Sequence, residues 1–532
     1  MSEINSIAIV GGGSSGWMTA ATLIHAFPNR TITLIESPNI STVGVGESTQ
    51  GAVTAWVKSL GIDHKDFMAY TDASYKMSIK FTDFHKKGDG GFHYPFGNVY
   101  LGDTQLGARD WYMKKAKYPD TPIQDYCNSF FSQMALVNRN KINTNKYGIF
   151  EEFSFYDASA FHFDATKFGL WLRDRYAIPR GVKHITEEVS EIKTDENGIS
   201  GLVLSNGNNF TADLYIDCTG FKSMLLEQTL GVEFDDESSK LPCNRAWATQ
   251  IPYVDKTQEI ENFTNCTALG YGWVWNIPLY TRIGTGYVYS DKFTTPEEAL
   301  EEFKQHLKEK KDPIYAPDRD FSNVEFKDIR IRTGIHKKLW EKNVVALGLS
   351  AGFIEPLESN GLYTVHEFLR VLIKALDKGF STQFDRDSYT HECRNIFYGF
   401  MHFVQMHYTL SRRDDTDFWK YMTSQNIELN TLGGSGYTAV SASRRSAEST
   451  YETNSGIHCI ATGHHNFTYG NYGKDLFEAQ TGQNIDLITE SFIFKSNKSK
   501  KKWEEEAEQS ENHYDYLRKN FHSENEKNNE EI

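Results

Sequence analysis

The stretch Phe353-Ile354-Glu355-Pro356-Leu357-Glu358-Ser359-Asn360-Gly361 concentrates groups that could do chemistry. An aromatic residue and a turn proline precede the carboxylate of Glu358, a side chain suited to accepting a proton at a reacting atom. Ser359, Asn360 and Gly361 follow, and a turn of small residues can aim consecutive backbone N–H groups at an anion. A second candidate lies far upstream, in Tyr75-Lys76-Met77-Ser78-Ile79-Lys80-Phe81. Its alternation of aromatic, basic and apolar residues reads as a half-buried strand with one lysine in and one out. The third is Gly272-Trp273-Val274-Trp275-Asn276-Ile277-Pro278. Alternation puts Trp273, Trp275 and Ile277 on one face, and Pro278 ends the strand or marks a sheet edge.

Such groups need a frame, and the N-terminus supplies one. Ser6–Val10 reads as a short buried strand, followed by Gly11-Gly12-Gly13-Ser14-Ser15-Gly16 and an apolar-periodic helix from Trp17 to Phe27. Gly11 permits the tight turn, Gly13 lets a pyrophosphate approach the backbone beside Ser14 and Ser15, and Gly16 lets helix and strand pack closely. A second strand, Thr31–Ile35, ends at Glu36, an acid placed to bind a ribose hydroxyl. One dinucleotide is expected here. Three further segments indicate which one: the glycine-rich Val43–Thr49, containing Gly46 and Glu47, and two buried strands running into Gly220 and Gly348. Together they predict a discontinuous FAD domain with insertions. No second G-x-G-x-x-G unit is present, so the flavin is expected to arrive already reduced.

The bulk composition removes several classes of function. At 532 residues the chain exceeds one core and suggests roughly two to four lobes. A formal charge of −15 argues against nucleic acid or an anionic membrane as the main partner. No apolar run reaches spanning length, and the opening residues lack the features of a secretory signal, so a cytoplasmic protein is expected. The six cysteines lie far apart with no C-x-x-C, indicating neither zinc nor a disulfide framework. His162, with no second ligand spaced to join it, reads as a packing histidine. Residues 430–475 are rich in Gly, Ser, Thr and Asn and read as loops. The basic-then-acidic end from Lys498 reads as a surface helix fraying into a tail.

Phe-x-x-Pro-x-x-Ser-x-Gly, Trp-x-Trp-x-Ile-Pro, the aromatic-Lys-x-x-Ile-Lys-Phe segment and the glycine turn occur in one order, and that set resembles the flavin-dependent halogenases, the tryptophan halogenase family. The similarity runs from Gly11 to about Trp419 and fades beyond Gly436. It implies an α/β fold with α+β elements: an FAD-binding, Rossmann-like domain of the flavoprotein monooxygenase type over residues 1–380, with an inserted sheet. A mainly helical substrate-covering domain over 381–495 and a charged helix or tail over 496–532 would follow. It implies that FADH₂, O₂ and a halide such as chloride or bromide yield hypohalous acid, and that a separate flavin reductase supplies the FADH₂. By the same resemblance Lys76 and Glu358 are catalytic, and Lys80 is structural. The amides of Asn360 and Gly361 would hold halide, and Ser359 would anchor Glu358 or the flavin side. Trp273, Trp275, Ile277 and Pro278 would keep organic substrate off the flavin, while Tyr94 and Phe96 would face the substrate. Tryptophan-specific members have a histidine at the Tyr94 position and a tyrosine-rich stretch where this chain has Ser443–Thr453. A small electron-rich aromatic or heteroaromatic substrate, not restricted to free tryptophan, is therefore expected. The tract His407–Trp419 matches the family and reads as a solvated, self-paired helix junction. A homo-oligomer is compatible with the sequence. The competing readings are a single-component FAD-dependent aromatic hydroxylase and a non-catalytic flavin-binding protein.

Overall fold

A computed structural model of the chain describes residues 3–39, 46–145, 149–308, 319, 321, 324–426, 455–466, 475 and 478–522. Its first sheet has six strands. Ser6–Val10 lies in the middle, parallel to Thr31–Glu36 on one side and to Leu214–Asp217 on the other. Val344–Ala346 and Lys183–Thr186 extend the parallel run outward, and Trp340–Glu341 closes one edge antiparallel. The three strands that precede Gly11, Gly220 and Gly348 are thus hydrogen-bonded neighbours although more than half of the chain separates the first from the last. Ile7, Ala8, Ile9, Ile32, Leu34 and Ile216 are all buried, as a parallel sheet covered on both faces requires. The first helix is Ser14–Ala26, three residues earlier at its start than hydrophobic periodicity suggested, because Ser14, Ser15 and Gly16 form its opening turn.

A second sheet has seven strands in the order Lys327–Arg330, Arg245–Ile251, Ile283–Tyr289, Gly272–Pro278, Phe263–Ala268, Ser78–Thr82 and Gly91–Pro95. The tryptophan strand Gly272–Pro278 is internal, so Pro278 ends a strand and does not mark an edge. A small antiparallel sheet packs against the seven-stranded one, and in it Ala160–Asp164 pairs with both Gly46–Ser48 and Ser74–Lys76. The predicted lysine strand is therefore two strands. It breaks at Met77, leaving Lys76 at the end of the small sheet and Lys80 in the large one.

Helices cover the rest. Gly361–Leu376 buries Leu362, Val365, Phe368, Leu369, Leu372 and Leu376 on one face, and the chain turns away at Gly379, where φ is +86°. Gln383–Thr409 starts with a capping box between Thr382 and Asp385. The region read as loops holds a buried helix, Ser455–Gly463, packed on the Gly91–Pro95 strand. The Ser443–Thr453 segment lies outside the described residues, as do Val43–Val45. Ile485–Gln509 is one helix running across position 496. It is not merely a surface element: Trp503 is buried and bonded to Glu151, and Lys500 pairs with Asp125 at 2.7 Å. Among the described residues no helix is long and apolar enough to cross a membrane, and all six cysteines are buried and unpaired.

Candidate active site

A cleft of about 360 Å³ opens at the C-terminal ends of the parallel strands, lined by Gly11, Gly12, Gly13, Glu36, Thr219 and Gly220 among others. This is where open α/β sheets hold nucleotides. Gly11 has φ +115°, and a Cβ there would fall 2.2 Å from the Cys218 carbonyl oxygen. At Gly16 it would fall 1.9 Å from the oxygen of Gly11, the close strand–helix packing expected. Gly12, which sequence reasoning passed over, lies against the Glu36 carboxylate. Glu36 itself is held by His184 at 2.7 Å. Ser15 packs against Gly348, and Ser14 Oγ bonds to Ala165. A bare backbone turn at a helix N-terminus, with an acid across the cleft, fits the diphosphate and ribose of FAD.

The second site lies where the small sheet, the large sheet and the Phe353–Gly361 turn meet. Lys76 is completely buried. Its Nζ donates to Ser359 Oγ at 2.8 Å and to the Thr49 carbonyl at 2.9 Å, and it lies 5.0 Å from the centre of the Phe96 ring. Burial pulls the amine down to about 7, against the opposing fields of Cys266 and Glu358. Phe96 and Tyr94, edge to face at 5.9 Å, line a cavity of about 710 Å³ together with Gln50, Phe150, Phe153 and Asp157. Lys76 thus sits behind the aromatic wall of this chamber.

Ser359 adopts a left-handed conformation, φ +57°, turning the short helical turn Pro356–Glu358 into the helix Gly361–Leu376. Asn360 and Gly361 open that helix, where backbone N–H groups have no intrahelical acceptor. Ser359 grips Lys76, not Glu358 or the flavin cleft, and passes a hydrogen bond on to Ser48 at 3.0 Å. From there Ser48 meets Thr264 at 2.7 Å, Thr264 meets His162 Nε2 at 2.8 Å, and His162 Nδ1 meets Ser74 at 3.1 Å. Ser74 donates to the Pro278 carbonyl at 2.5 Å. That final acceptor fixes the direction of every bond, so His162 carries its hydrogen on Nδ1. Burial, with help from the charge on Lys76, pushes His162 well below its ordinary value and keeps it neutral. The packing role expected of it is thus a specific one, which the sequence did not signal.

Glu358 is also completely buried. Its Oε1 stands 2.8 Å from His407 Nε2, and Gln50 holds its backbone carbonyl at 2.6 Å. The tract beginning at His407 is solvated only in part: Arg412, Asp414, Asp415 and Asp417 are exposed, whereas His407, Tyr408, Phe418 and Trp419 are buried. Arg413 is buried too; it pairs with Asp415, as a self-paired junction would, and stacks 4.4 Å over Trp419. On the facing strand, Trp273 Nε1 donates to Glu355 Oε2 at 3.2 Å, and Tyr408 donates to the same oxygen at 3.0 Å. Burial pushes Glu355 up to about 7. Trp275 lies over Gly286, where a Cβ would come within 2.2 Å of the indole, and Ile277 packs on Gly46. Next to Gly46, burial raises the Glu47 carboxyl to about 7. The tryptophan face therefore runs from Glu355, beside the Glu358 turn, to Gly46.

A sequence model of tryptophan halogenases matches residues 6–465. The chain belongs to the tryptophan halogenase family. Tryptophan 6-halogenase ThaL of Streptomyces albogriseolus is 34% identical over 435 residues, covering 79% of this chain and 78% of that protein. Among solved structures, VirX1 superposes with a TM-score of 0.89 at 35% identity, over 98% of this chain and 100% of that one. BrvH, a flavin-dependent halogenase from Brevundimonas sp. BAL3, does so with 0.82 at 26% identity, over 97% and 99%. The protein is a flavin-dependent halogenase of α/β fold that acts on an aromatic substrate, and Lys76, Glu358 and the tryptophan strand lie within the matched region of this halogenase.

Proposed function

We propose that this halogenase takes FADH₂ from a separate flavin reductase in the cytoplasm and halogenates small electron-rich arenes or heteroarenes beyond free tryptophan. Bound reduced FAD, with O₂ and halide, supplies hypohalous acid. What the chain's own residues contribute is transfer of the halogen to carbon. The Lys76 amine, held by Ser359 and Thr49, donates a hydrogen bond to the hypohalous acid. As the halogen bonds to the ring, the departing hydroxide takes the ammonium proton and leaves as water. Glu358 stabilises the cationic ring intermediate and accepts its proton. A group near 7 can both hold and release that proton at neutral pH. The amides of Asn360 and Gly361 favour halide, and Trp273, Trp275, Ile277 and Pro278 separate arene from flavin. Tyr94 and Phe96 give the arene an aromatic face to stack on.

The observation that carries this reading is the amine of Lys76, buried beside the Glu358 turn and against a ring that lines the chamber. The test is reconstitution with NADH, O₂, bromide and a panel of indoles, phenols and pyrroles, with and without an added flavin reductase, read by product mass. Brominated product only with the reductase supports the proposal. Hydroxylated product with NADH alone would replace it with the hydroxylase reading.

A further inference from the structure

The transfer just described makes no use of the completely buried histidine that stands against Glu358. His407 stands near the end of the Gln383–Thr409 helix, boxed in by the rings of Phe81 at 4.5 Å, Phe403 at 5.6 Å and Phe84 at 6.3 Å. Its Nδ1 is 3.1 Å from the Phe403 carbonyl oxygen. A carbonyl only accepts, so Nδ1 carries a hydrogen, and in the neutral ring Nε2 would present a lone pair. That nitrogen faces Glu358 Oε1 at 2.8 Å. A lone pair and a carboxylate oxygen cannot rest that close in a buried site, so the contact requires a proton between them. Apart from that contact, neither Glu358 oxygen nor Nε2 has a hydrogen-bond partner among the described residues. Such orphaned buried atoms mark a site whose bonds tighten when it is occupied.

We infer that His407 is the positioning residue for Glu358, and that the two share one proton and work as a single acid–base unit. Resting on the halogenation reading above, the step balances. The ring proton goes to the other Glu358 oxygen, and the shared proton settles on Nε2. The pair gains one positive charge as Lys76 loses one to the departing hydroxide, so the sealed site keeps its net charge through the reaction. The titratable groups that face His407 are Glu358 and Glu355 from the turn and His464 from the end of the Ser455–Gly463 helix. His464 is pushed well below its ordinary value by burial and by the charge of His407, so it does not compete for the proton.

The test is His407→Gln in the full chain, with reductase, bromide and a weakly activated arene. FAD binding and KM should stay within about twofold, kcat should fall about 10- to 100-fold, and a ring-deuterium isotope effect should emerge as loss of the ring proton becomes limiting. The acidic limb of the rate–pH profile should move to higher pH. In the Glu358→Gln background the same change should add nothing, because a residue that acts through Glu358 is silent once Glu358 is gone. Multiplying effects, or an unchanged kcat without an isotope effect, would overturn the assignment. Wild-type protein that forms no brominated product would instead sink the reading beneath it. If His407→Gln does not fold, His407→Asn enters the same cycle.

Discussion

Lys76 and His162 stand at two points on one directional run of hydrogen bonds, joined through the hydroxyls of Ser359, Ser48 and Thr264. The amine donates into the run and a backbone carbonyl of the tryptophan strand ends it. Every link is buried, so the position of Lys76 depends on partners drawn from five strands, its own included, and a turn. His162→Phe leaves the Thr264 hydroxyl without its acceptor and Ser74 without its donor, and should cost about 1–3 kcal/mol. Thermal or urea unfolding gives the value, and kcat should fall less than in a lysine deletion.

Replacing the amine itself should separate stability from activity. Between about 7 and the ordinary lysine range, the unfolded chain holds a proton that folded Lys76 lacks, so this group's contribution to stability rises with pH across that window. Below it, the folded protein bears the full cost of a buried charge. Lys76→Met should therefore stabilise the fold near pH 7 by about 1–3 kcal/mol, after loss of two hydrogen bonds is set against the gain. The gain should shrink towards pH 10, and FAD binding should survive while halogenated product disappears. Unfolding curves at several pH values, run beside product assays, check both halves.

Glu358→Gln keeps the size of the side chain and removes the proton acceptor. The loss in kcat should be about 10² to 10⁴ on a weakly activated arene and much smaller on a strongly activated one, whose ring intermediate sheds its proton readily. Competition between two such arenes in one vessel measures the ratio directly. Equal losses on both would argue against a base at this position.

Glu355 fixes the Trp273 indole from behind and is itself pushed up to about 7. Above that value a buried carboxylate forms, so the residue subtracts stability as pH rises from its unfolded range through about 7. Glu355→Gln, which can still accept from Trp273 and Tyr408, should raise the melting temperature more at pH 8 than at pH 5. An equal rise at both would place the effect in packing.

Gly11→Ala adds a Cβ 2.2 Å from the Cys218 carbonyl at a backbone angle that L side chains rarely adopt. The strand-to-helix turn must move, and FAD affinity should fall more than tenfold by fluorescence titration, with about 2 kcal/mol or more of lost stability.

The parts of this protein visible in its sequence are those written locally. The glycine turn, the alternating tryptophans and the turn around Pro356 each need only neighbouring residues, and the grouping of three strands before Gly11, Gly220 and Gly348 followed from repeated chemistry. The Lys76 segment was harder: alternation suggested one strand, whereas the break at Met77 divides it between two sheets and buries the first lysine completely. The contacts of Glu358 with His407, of Trp273 with Glu355 and of Ser359 with Lys76 were invisible. They join residues distant in the chain, and nothing in local periodicity says which way a buried polar side chain will turn. The charged pattern after His407 was legible only in part: Arg413 pairs with Asp415 at the surface end, but its guanidinium is buried over Trp419, which charge alternation does not signal.

The strand that carries Lys76 is not finished by its own sheet. The backbone N–H of Tyr75 donates to His513 Nε2, 438 positions later, and His513 is fixed in turn by the Ile260 carbonyl. During synthesis the lysine strand must wait for almost the entire polypeptide before its last hydrogen bond can close. A ribosome-bound or C-terminally clipped chain can therefore shape its nucleotide cleft while the strand of Lys76 is still loosely held, and nicking near residue 513 should loosen that strand from a distance.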